Sequence, residues 1–226
     1  MKKLIALCLG LMAIASLSAQ QLFFETYSGY NLTSYDLEEF EDSEGYVPIG
    51  FRLAGGFERV QFGLEYNRNI TDASFTSSDP STGTDLFRTQ FVNSYYGGLV
   101  RVNFSSLPAY RFGLVLKGGA GRYDTQVETY ELPNESLRDP VVEYEPELGF
   151  NFGIGISSPI YTLLHWEIGY MYNLVKYAET TTGAPSYQGN FHSIQIGLSL
   201  NLVFGNTAKR CRQVYKNDRS SRGWRR

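Results

Sequence analysis

Apolar and polar residues alternate along much of this chain with a period of two, the spacing that is typical of β-strands. In the segment 193–204 every second position, from Ile194 to Phe204, is apolar, and most positions between them are small and polar. Eight such segments occur, at approximately residues 22–32, 47–58, 61–67, 92–103, 110–121, 147–156, 164–174 and 193–204. The pattern predicts an all-β protein of about eight antiparallel strands, although Tyr95 and Leu99 fall on the polar side of the fourth segment.

Two kinds of closed barrel fit eight alternating strands, and the composition of the polar face distinguishes them. A soluble barrel has an apolar interior, whereas a membrane barrel has an apolar outer face and a polar lumen. Here the polar face is dominated by glycine, which weakens a strand unless space is short, as it is inside an eight-stranded barrel. We therefore expect lipid on the apolar face. The glycines expected in the lumen are Gly63, Gly113, Gly119, Gly121, Gly149, Gly153, Gly155, Gly169 and Gly197.

Composition supports strands rather than membrane helices. The chain has 226 residues, of which 15% are aromatic and 19% charged, and no segment after residue 20 approaches the roughly 20 apolar residues of a spanning helix. The first residues combine a basic head, an apolar run and small residues before Gln20, which predicts a secretory signal peptide at 1–19 rather than an anchor helix. Removing it leaves Cys211 as the one cysteine, so no intramolecular disulfide is expected.

The connections between the segments alternate in length. Those near residues 58–59, 105–109 and 157–161 are short, whereas those at 33–45, 71–86, 124–146 and 178–189 are long and polar. Outer-membrane barrels have short periplasmic turns and long external loops. We therefore expect a transmembrane up-and-down barrel over residues 20–204, with four long external loops and both termini in the periplasm.

The last strand carries a more specific pattern, QIGLSLNL at residues 195–202, followed by an aromatic residue. With the signal peptide and the loop rhythm, it resembles the small eight-stranded outer-membrane β-barrels of Gram-negative bacteria, the OmpA/OmpX and opacity-protein type. The resemblance implies an outer-membrane location, and it implies that the barrel-assembly machinery recognises Gln195, Gly197, Leu200, Leu202 and Phe204. It does not fix a function, because such barrels include adhesins, protective proteins, lipid-modifying enzymes and anchors.

The candidate functional residues of the lumen are ionisable side chains on the polar face. They are Glu25, Arg52, Glu65, Arg101, Arg111, Lys117, Glu147, His165 and Glu167. A buried, unpaired charge is strongly destabilising, so the four acids and four bases predict a set of salt bridges that fills the barrel. A proton path or a narrow conduit is the alternative interpretation.

Catalytic chemistry has little support in the sequence. His165 and Glu167 share a face and could form a catalytic base, but they are also a common buried pair. His192 and Ser193 are adjacent, so on a strand they point to opposite faces and cannot pair as in a hydrolase. The six acids within residues 36–44 lack the spacing of a calcium loop. We expect no catalytic residue, cofactor or metal.

The chain continues after Phe204 with a basic segment at residues 205–226. It carries +7, from eight bases against one acid, whereas the rest of the mature chain carries −12, from ten bases against 22 acids. The candidate interaction residues are Lys209, Arg210, Arg212, Lys216, Arg219, Arg222, Trp224, Arg225 and Arg226. In the periplasm this tail would remain solvated, contact anionic inner-leaflet lipid or bind an acidic periplasmic protein. Nucleic acid is not an expected partner, because it is absent from that compartment.

The sequence thus favours a non-enzymatic outer-membrane barrel with a structural or interaction role through its external loops and periplasmic tail, and that role could include anchoring of an envelope complex. A narrow porin-like channel is one alternative. A barrel enzyme acting on outer-leaflet lipid is a less favoured one. Outer-membrane lipid and the barrel-assembly machinery are the other expected partners.

Overall fold

The protein is an all-β barrel of antiparallel strands, as the alternation predicts. The computed structural model describes residues 21–35, 45–57, 59–71, 73–78, 83, 85–104, 112–132, 134, 136–137, 142–161, 163–179 and 186–204. Among these residues there are ten strands: β1 (Gln21–Tyr35), β2 (Pro48–Gly56), β3 (Val60–Asn69), β4 (Ala73–Ser78), β5 (Asp85–Asn103), β6 (Gly113–Glu131), β7 (Ser136–Leu137), β8 (Val142–Pro159), β9 (Leu164–Tyr177) and β10 (Tyr187–Val203). The described residues contain no helix long and apolar enough to cross a membrane.

Eight of these strands form the closed ring. Each is antiparallel to its neighbours in the order β1, β2, β3, β5, β6, β8, β9 and β10, and β10 pairs with β1. A row of directly opposite residues can be followed once around the ring, starting at Leu22 on β1. It passes through Gly55, Phe62, Val100, Gly118, Phe152, Tyr172 and His192, and it returns to β1 at Leu32. The return falls ten residues further along β1, and this stagger tilts the strands and leaves an interior just wide enough for side chains to fill.

The two ends of the barrel differ. We call the end with Gln21, Val203 and the β2–β3, β5–β6 and β8–β9 connections the turn end, and the opposite end the loop end. The wall rises higher at the loop end than the sequence predicts. Residues 85–86, 124–131 and 142–146, which the sequence predicts as parts of loops, belong to long strands, and β5 already begins at Asp85 rather than near residue 92. There β4 pairs with β5 and β7 pairs with β6.

Inward and outward positions follow the predicted parity. Along β2 the side chains from Pro48 to Gly56 alternate between the filled interior and the exposed outer face. Tyr95 and Leu99, the exceptions in the fourth segment, are 1% and 2% exposed and lie inside the barrel. The glycines give this interior its room: a Cβ on Gly149 would lie 2.6 Å from the Tyr123 ring, and one on Gly50 would collide with the Tyr27 ring.

The outer face is a continuous apolar band bounded by aromatic residues. Its middle is aliphatic, as in the exposed residues Ile154, Ile168 and Ile196. Near the loop end, the outward-facing aromatic residues are Tyr30, Tyr66, Tyr96, Tyr170 and Tyr172. Near the turn end, they are Phe57, Phe104, Phe112, Trp166 and Phe204. Aromatic girdles on both sides of an apolar band are typical of barrels that span a bilayer.

Several sequence-based predictions concern residues outside the described ranges. They are the signal peptide at 1–19, the acidic residues within 36–44, Arg111, and the basic tail at 205–226 with its candidate interaction residues.

Candidate functional site

The lumen holds two clusters of charged side chains, and Arg52 is the centre of the first. Its guanidinium is fully buried and forms ion pairs with Glu25 at 2.9 Å and with Glu65 at 2.8 Å. It also donates a hydrogen bond of 2.6 Å to Gln195, which reaches it from β10. The Tyr27 ring lies 3.7 Å from the guanidinium carbon, and the Tyr27 hydroxyl donates a hydrogen bond of 2.5 Å to Glu65.

Strand register explains why these groups meet. Glu25 lies opposite Arg52 on β2, and Arg52 lies opposite Glu65 on β3. The three side chains therefore form a row across adjacent strands, with the base between the two acids. Cross-strand pairs of opposite charge are stabilising, and the fork of arginine can serve two carboxylates at once. The Arg52 cluster, which consists of Arg52, Glu25, Glu65, Tyr27 and Gln195, carries a net charge of −1.

The second cluster is built on β5, β6 and β9. Arg101 forms an ion pair of 2.8 Å with Glu167, and Lys117 forms one of 2.5 Å with the other oxygen of the same carboxylate. Arg101 also donates a hydrogen bond of 3.2 Å to Gln61 and a shorter one to Asn103. The Arg101 cluster, defined as these five residues, carries a net charge of +1, so the two clusters together are neutral.

The Arg101 cluster depends on a contact that crosses the lumen. Arg101 and Lys117 are direct cross-strand neighbours, an arrangement that is unfavourable for like charges. Glu167 compensates by reaching them from β9, past β8. Gly153 lies opposite Lys117 on β8, and a Cβ on the nearby Gly155 would lie 3.3 Å from the Glu167 carboxylate. The small residues of β8 thus leave the space in which the three charges meet.

The structure brings six of the nine predicted lumen residues into these clusters: Glu25, Arg52, Glu65, Arg101, Lys117 and Glu167. His165 is buried at the turn end, opposite Ser199, while Glu167 binds the two bases. Glu147 shares the lumen parity but lies closer to the loop end and is partly exposed.

His192 lies on the outer face of the barrel wall, whereas the adjacent Ser193 lies inside the barrel. The His192 ring accepts or donates a hydrogen bond of 2.6 Å with the Tyr170 hydroxyl on the outer face, whereas Ser193 is fully buried. These adjacent residues therefore point to opposite sides of the wall and do not form a nucleophile and base pair.

A cluster of buried aromatic residues, which the alternation does not predict, packs inside the barrel near the loop end. Its aromatic members are Tyr46, Phe91, Tyr95, Tyr123, Tyr144, Tyr177, Tyr187 and Phe191. The Tyr187 ring lies 4.7 Å from that of Tyr177 and 5.0 Å from that of Tyr144. Burial raises the pKa of Tyr46, which precedes β2, to about 12. The only sequence signal is tyrosine at positions with lumen parity, and it is ambiguous because tyrosine also forms the outer girdle.

Asparagines line the space between the aromatic cluster and the Arg52 cluster. Asn31, Asn67, Asn93 and Asn173 surround a cavity of about 20 Å³. A cavity of this size has room for about one water molecule. The described residues of the lumen are thus packed with paired charges, amides and aromatic rings rather than arranged around an open passage.

Comparisons with known proteins agree with this architecture. No protein-family model matches the sequence, and no curated protein matches it. Neisserial surface protein A is similar in structure with a TM-score of 0.57 at 12% identity, over 79% of this chain and 96% of that one. Ail from Yersinia pestis (TM-score 0.49, 9% identity, 80% and 99% covered) and the N-terminal barrel of Pseudomonas aeruginosa OprF (0.48, 10%, 81% and 98%) also match. The fold of this chain is that of a small eight-stranded outer-membrane β-barrel.

Proposed function

We propose that this protein is a non-enzymatic outer-membrane barrel with a structural or interaction role rather than a transport role. The observation that supports the proposal is the combination of an apolar outer band with a lumen filled by paired charges. The band provides the surface for insertion into lipid. The filled lumen leaves the loops, the rims and the segment after Phe204 as the parts that can contact other molecules.

The proposed orientation puts the turn end in the periplasm and the loop end outside the cell, as in other outer-membrane barrels. The proposed recognition of the last strand by the assembly machinery fits its place in the fold. Leu200, Leu202 and Phe204 face outward at the turn end, whereas Gln195 and Gly197 face the lumen. Gln195 also binds Arg52, so it contributes to the finished barrel.

The alternative function, a narrow porin-like channel, predicts that ions pass through the barrel, whereas the proposed function predicts that they do not. The unmodified protein, inserted into a planar lipid bilayer, is expected to give no steady single-channel current above that of a protein-free bilayer, because charged pairs and aromatic rings occupy the lumen. Successful folding is checked beforehand by the mobility shift between unheated and heated samples on a gel. Large, long-lived current steps from the folded protein would instead support a conduit.

The proposed interaction role includes anchoring of the barrel to an acidic periplasmic protein through the tail at 205–226. This part of the proposal rests on the tail's charge of +7. Deleting this segment is expected to leave barrel folding unchanged, because β10 already completes the ring at Val203. Recovery of acidic periplasmic proteins with the barrel should fall, and the loss should be larger at low salt, where charges are least screened. A full-length variant with the eight basic residues replaced by glutamine separates charge from length. If the deletion retains every co-purifying protein, the tail has no anchoring role.

A further inference from the structure

A small polar cavity lies inside the barrel, between the Arg52 cluster and the cluster of buried aromatic residues. Its volume is about 20 Å³, which admits one particle of the size of a water molecule. On the turn-end side it is lined by Tyr27 and Gln195, which both belong to the Arg52 cluster. On the loop-end side it is lined by Tyr46 and Tyr123 of the aromatic cluster. The cavity therefore lies within the packed lumen rather than at its mouth.

Two buried oxygen atoms in and beside this cavity lack a hydrogen-bond partner among the described residues. One is Oδ1 of Asn31, which lines the cavity and is 6% exposed. The other is Oε2 of Glu65, whereas Oε1 of the same carboxylate binds Arg52. The hydroxyl of Tyr95, which also lines the cavity, lies against Gly97, the residue opposite Glu65 on β5. A buried oxygen without a partner is costly, so these atoms favour an occupant that donates hydrogens or carries positive charge.

A water molecule is the alternative occupant, because the cavity also offers a donor. The amide nitrogen of Asn93 lacks a partner among the described residues, while the amide oxygen of Asn93 accepts a hydrogen bond of 2.7 Å from Thr125. Water could accept a hydrogen bond from Asn93 and donate one to Asn31. The charge around the cavity distinguishes the two occupants.

The part of the lumen beside the cavity has an excess of negative charge. The Arg52 cluster carries −1, and its three ionised side chains are at most 3% exposed. The Arg101 cluster lies beyond a row of apolar residues, Phe23, Ala54 and Leu99, which follows the charged row toward the turn end. A buried charge without compensation is strongly destabilising. A cation in the cavity offsets the excess directly beside the acids rather than across the apolar row, and water does not.

We propose that this cavity binds one alkali-metal cation, with Asn31 Oδ1 and the Tyr95 hydroxyl oxygen as ligands and the Glu65 carboxylate as the source of attraction. Oxygens of these kinds suit hard cations. A monovalent ion matches better than a divalent one, because the excess of the Arg52 cluster is one charge and the described residues that line the cavity include no acid. The bound ion links β1, β3 and β5 inside the lumen. The site does not depend on the loops or the tail, so its failure leaves the proposed function standing.

The first test measures how stability depends on the cation. The full-length protein, folded in phosphatidylcholine vesicles, is unfolded with urea at constant pH and ionic strength, with sodium or potassium chloride replacing choline chloride. Because the ion binds the folded barrel, the folding equilibrium constant is expected to rise with alkali-ion concentration, about tenfold when that concentration is ten times the Kd. Choline is too large for a cavity of about 20 Å³, so it serves as the inert cation. Equal stability in choline, sodium and potassium chloride would overturn the site.

Substitutions separate the site from a general effect of salt. Asn31→Leu removes the proposed ligand oxygen, and Glu65→Gln removes the excess charge while keeping an oxygen for Arg52. Both are expected to abolish the dependence on alkali ions. Asn201→Leu is the matched control, because Asn201 is a buried lumen amide at the turn end, opposite Phe23, and it should retain the full dependence. All variants are compared only as protein that shows the heat-dependent mobility shift, and an unchanged ion dependence in folded Asn31→Leu or Glu65→Gln protein contradicts the site.

The second test locates the ion directly and requires no variant. Crystals of the unmodified protein are grown in rubidium chloride, and diffraction is measured at the rubidium absorption edge. An anomalous peak in the lumen between Asn31 and Tyr95 is expected. Density at that position without an anomalous signal identifies a water molecule and rejects the cation site, as does a cavity without density.

Discussion

Replacing Arg52 by methionine is expected to lower the free energy of unfolding of the barrel by about 3–5 kcal/mol. The substitution leaves Glu25 and Glu65 facing each other in a closed lumen without the base that binds both. It also removes the hydrogen bond to Gln195 and the contact with the Tyr27 ring. Urea unfolding from lipid vesicles, followed by tryptophan fluorescence, measures the change.

Two further variants identify the cause of that loss. Arg59→Met is the matched control, because Arg59 is exposed in the β2–β3 turn, and surface substitutions of this kind usually change stability by about 0.5 kcal/mol or less. Adding Glu25→Gln and Glu65→Gln to Arg52→Met should restore part of the stability, because the uncompensated charges are gone. If Arg52→Met costs no more than Arg59→Met, the cluster does not stabilise the barrel.

Replacing Ile196 by lysine is expected to destabilise the inserted barrel by about 2–4 kcal/mol. Ile196 is 59% exposed on the outer face of β10, within the aliphatic part of the band. In lipid, the new ammonium group would lie in hydrocarbon, from which it can escape only by extending toward a distant interface. Unfolding from vesicles and the gel mobility shift provide the measurement.

The control for this substitution lies on the same strand and the same face. Asn190→Lys adds an identical charge beyond the apolar band, where the cost falls to about 0–1 kcal/mol. The difference between the two variants therefore reports the lipid environment rather than the strand. Folding of the unmodified protein in water without detergent or lipid, with no mobility shift, would contradict a membrane-facing band.

The ring strands could be predicted because each has one face in the interior and the other in the band. The chemical contrast between those faces is largest in β10, where Ile196 and Leu198 alternate with Gln195 and Gly197. Beyond the band, both faces of β5 and β6 are polar or mixed, so the alternation alone predicts a loop at residues 124–131. Hydrogen bonding between strands does not end where the lipid ends, and these segments remain paired.

The lumen charges could be predicted as a set but not as pairs, because the register between strands leaves no trace in one sequence. Glu25 and Arg52 meet across adjacent strands, whereas Glu167 reaches Arg101 from across the lumen. The alternation of inward and outward positions also predicts Glu147 as a lumen charge. Its position closer to the loop end separates it from both charged clusters. Neutral members such as Gln61 were missed because nothing distinguishes them from other small or polar lumen residues.

The seam between β1 and β10 has a consequence for how the barrel is made. Its register joins Gln21 to Val203, so the ring closes only when nearly all of the described chain is present. Until then β1 has an unpaired edge that can pair with other chains and cause aggregation. Contacts so distant in sequence slow folding. A chain truncated within β10 is therefore expected to remain an open sheet with an exposed β1 edge, whereas the complete chain covers that edge in the seam.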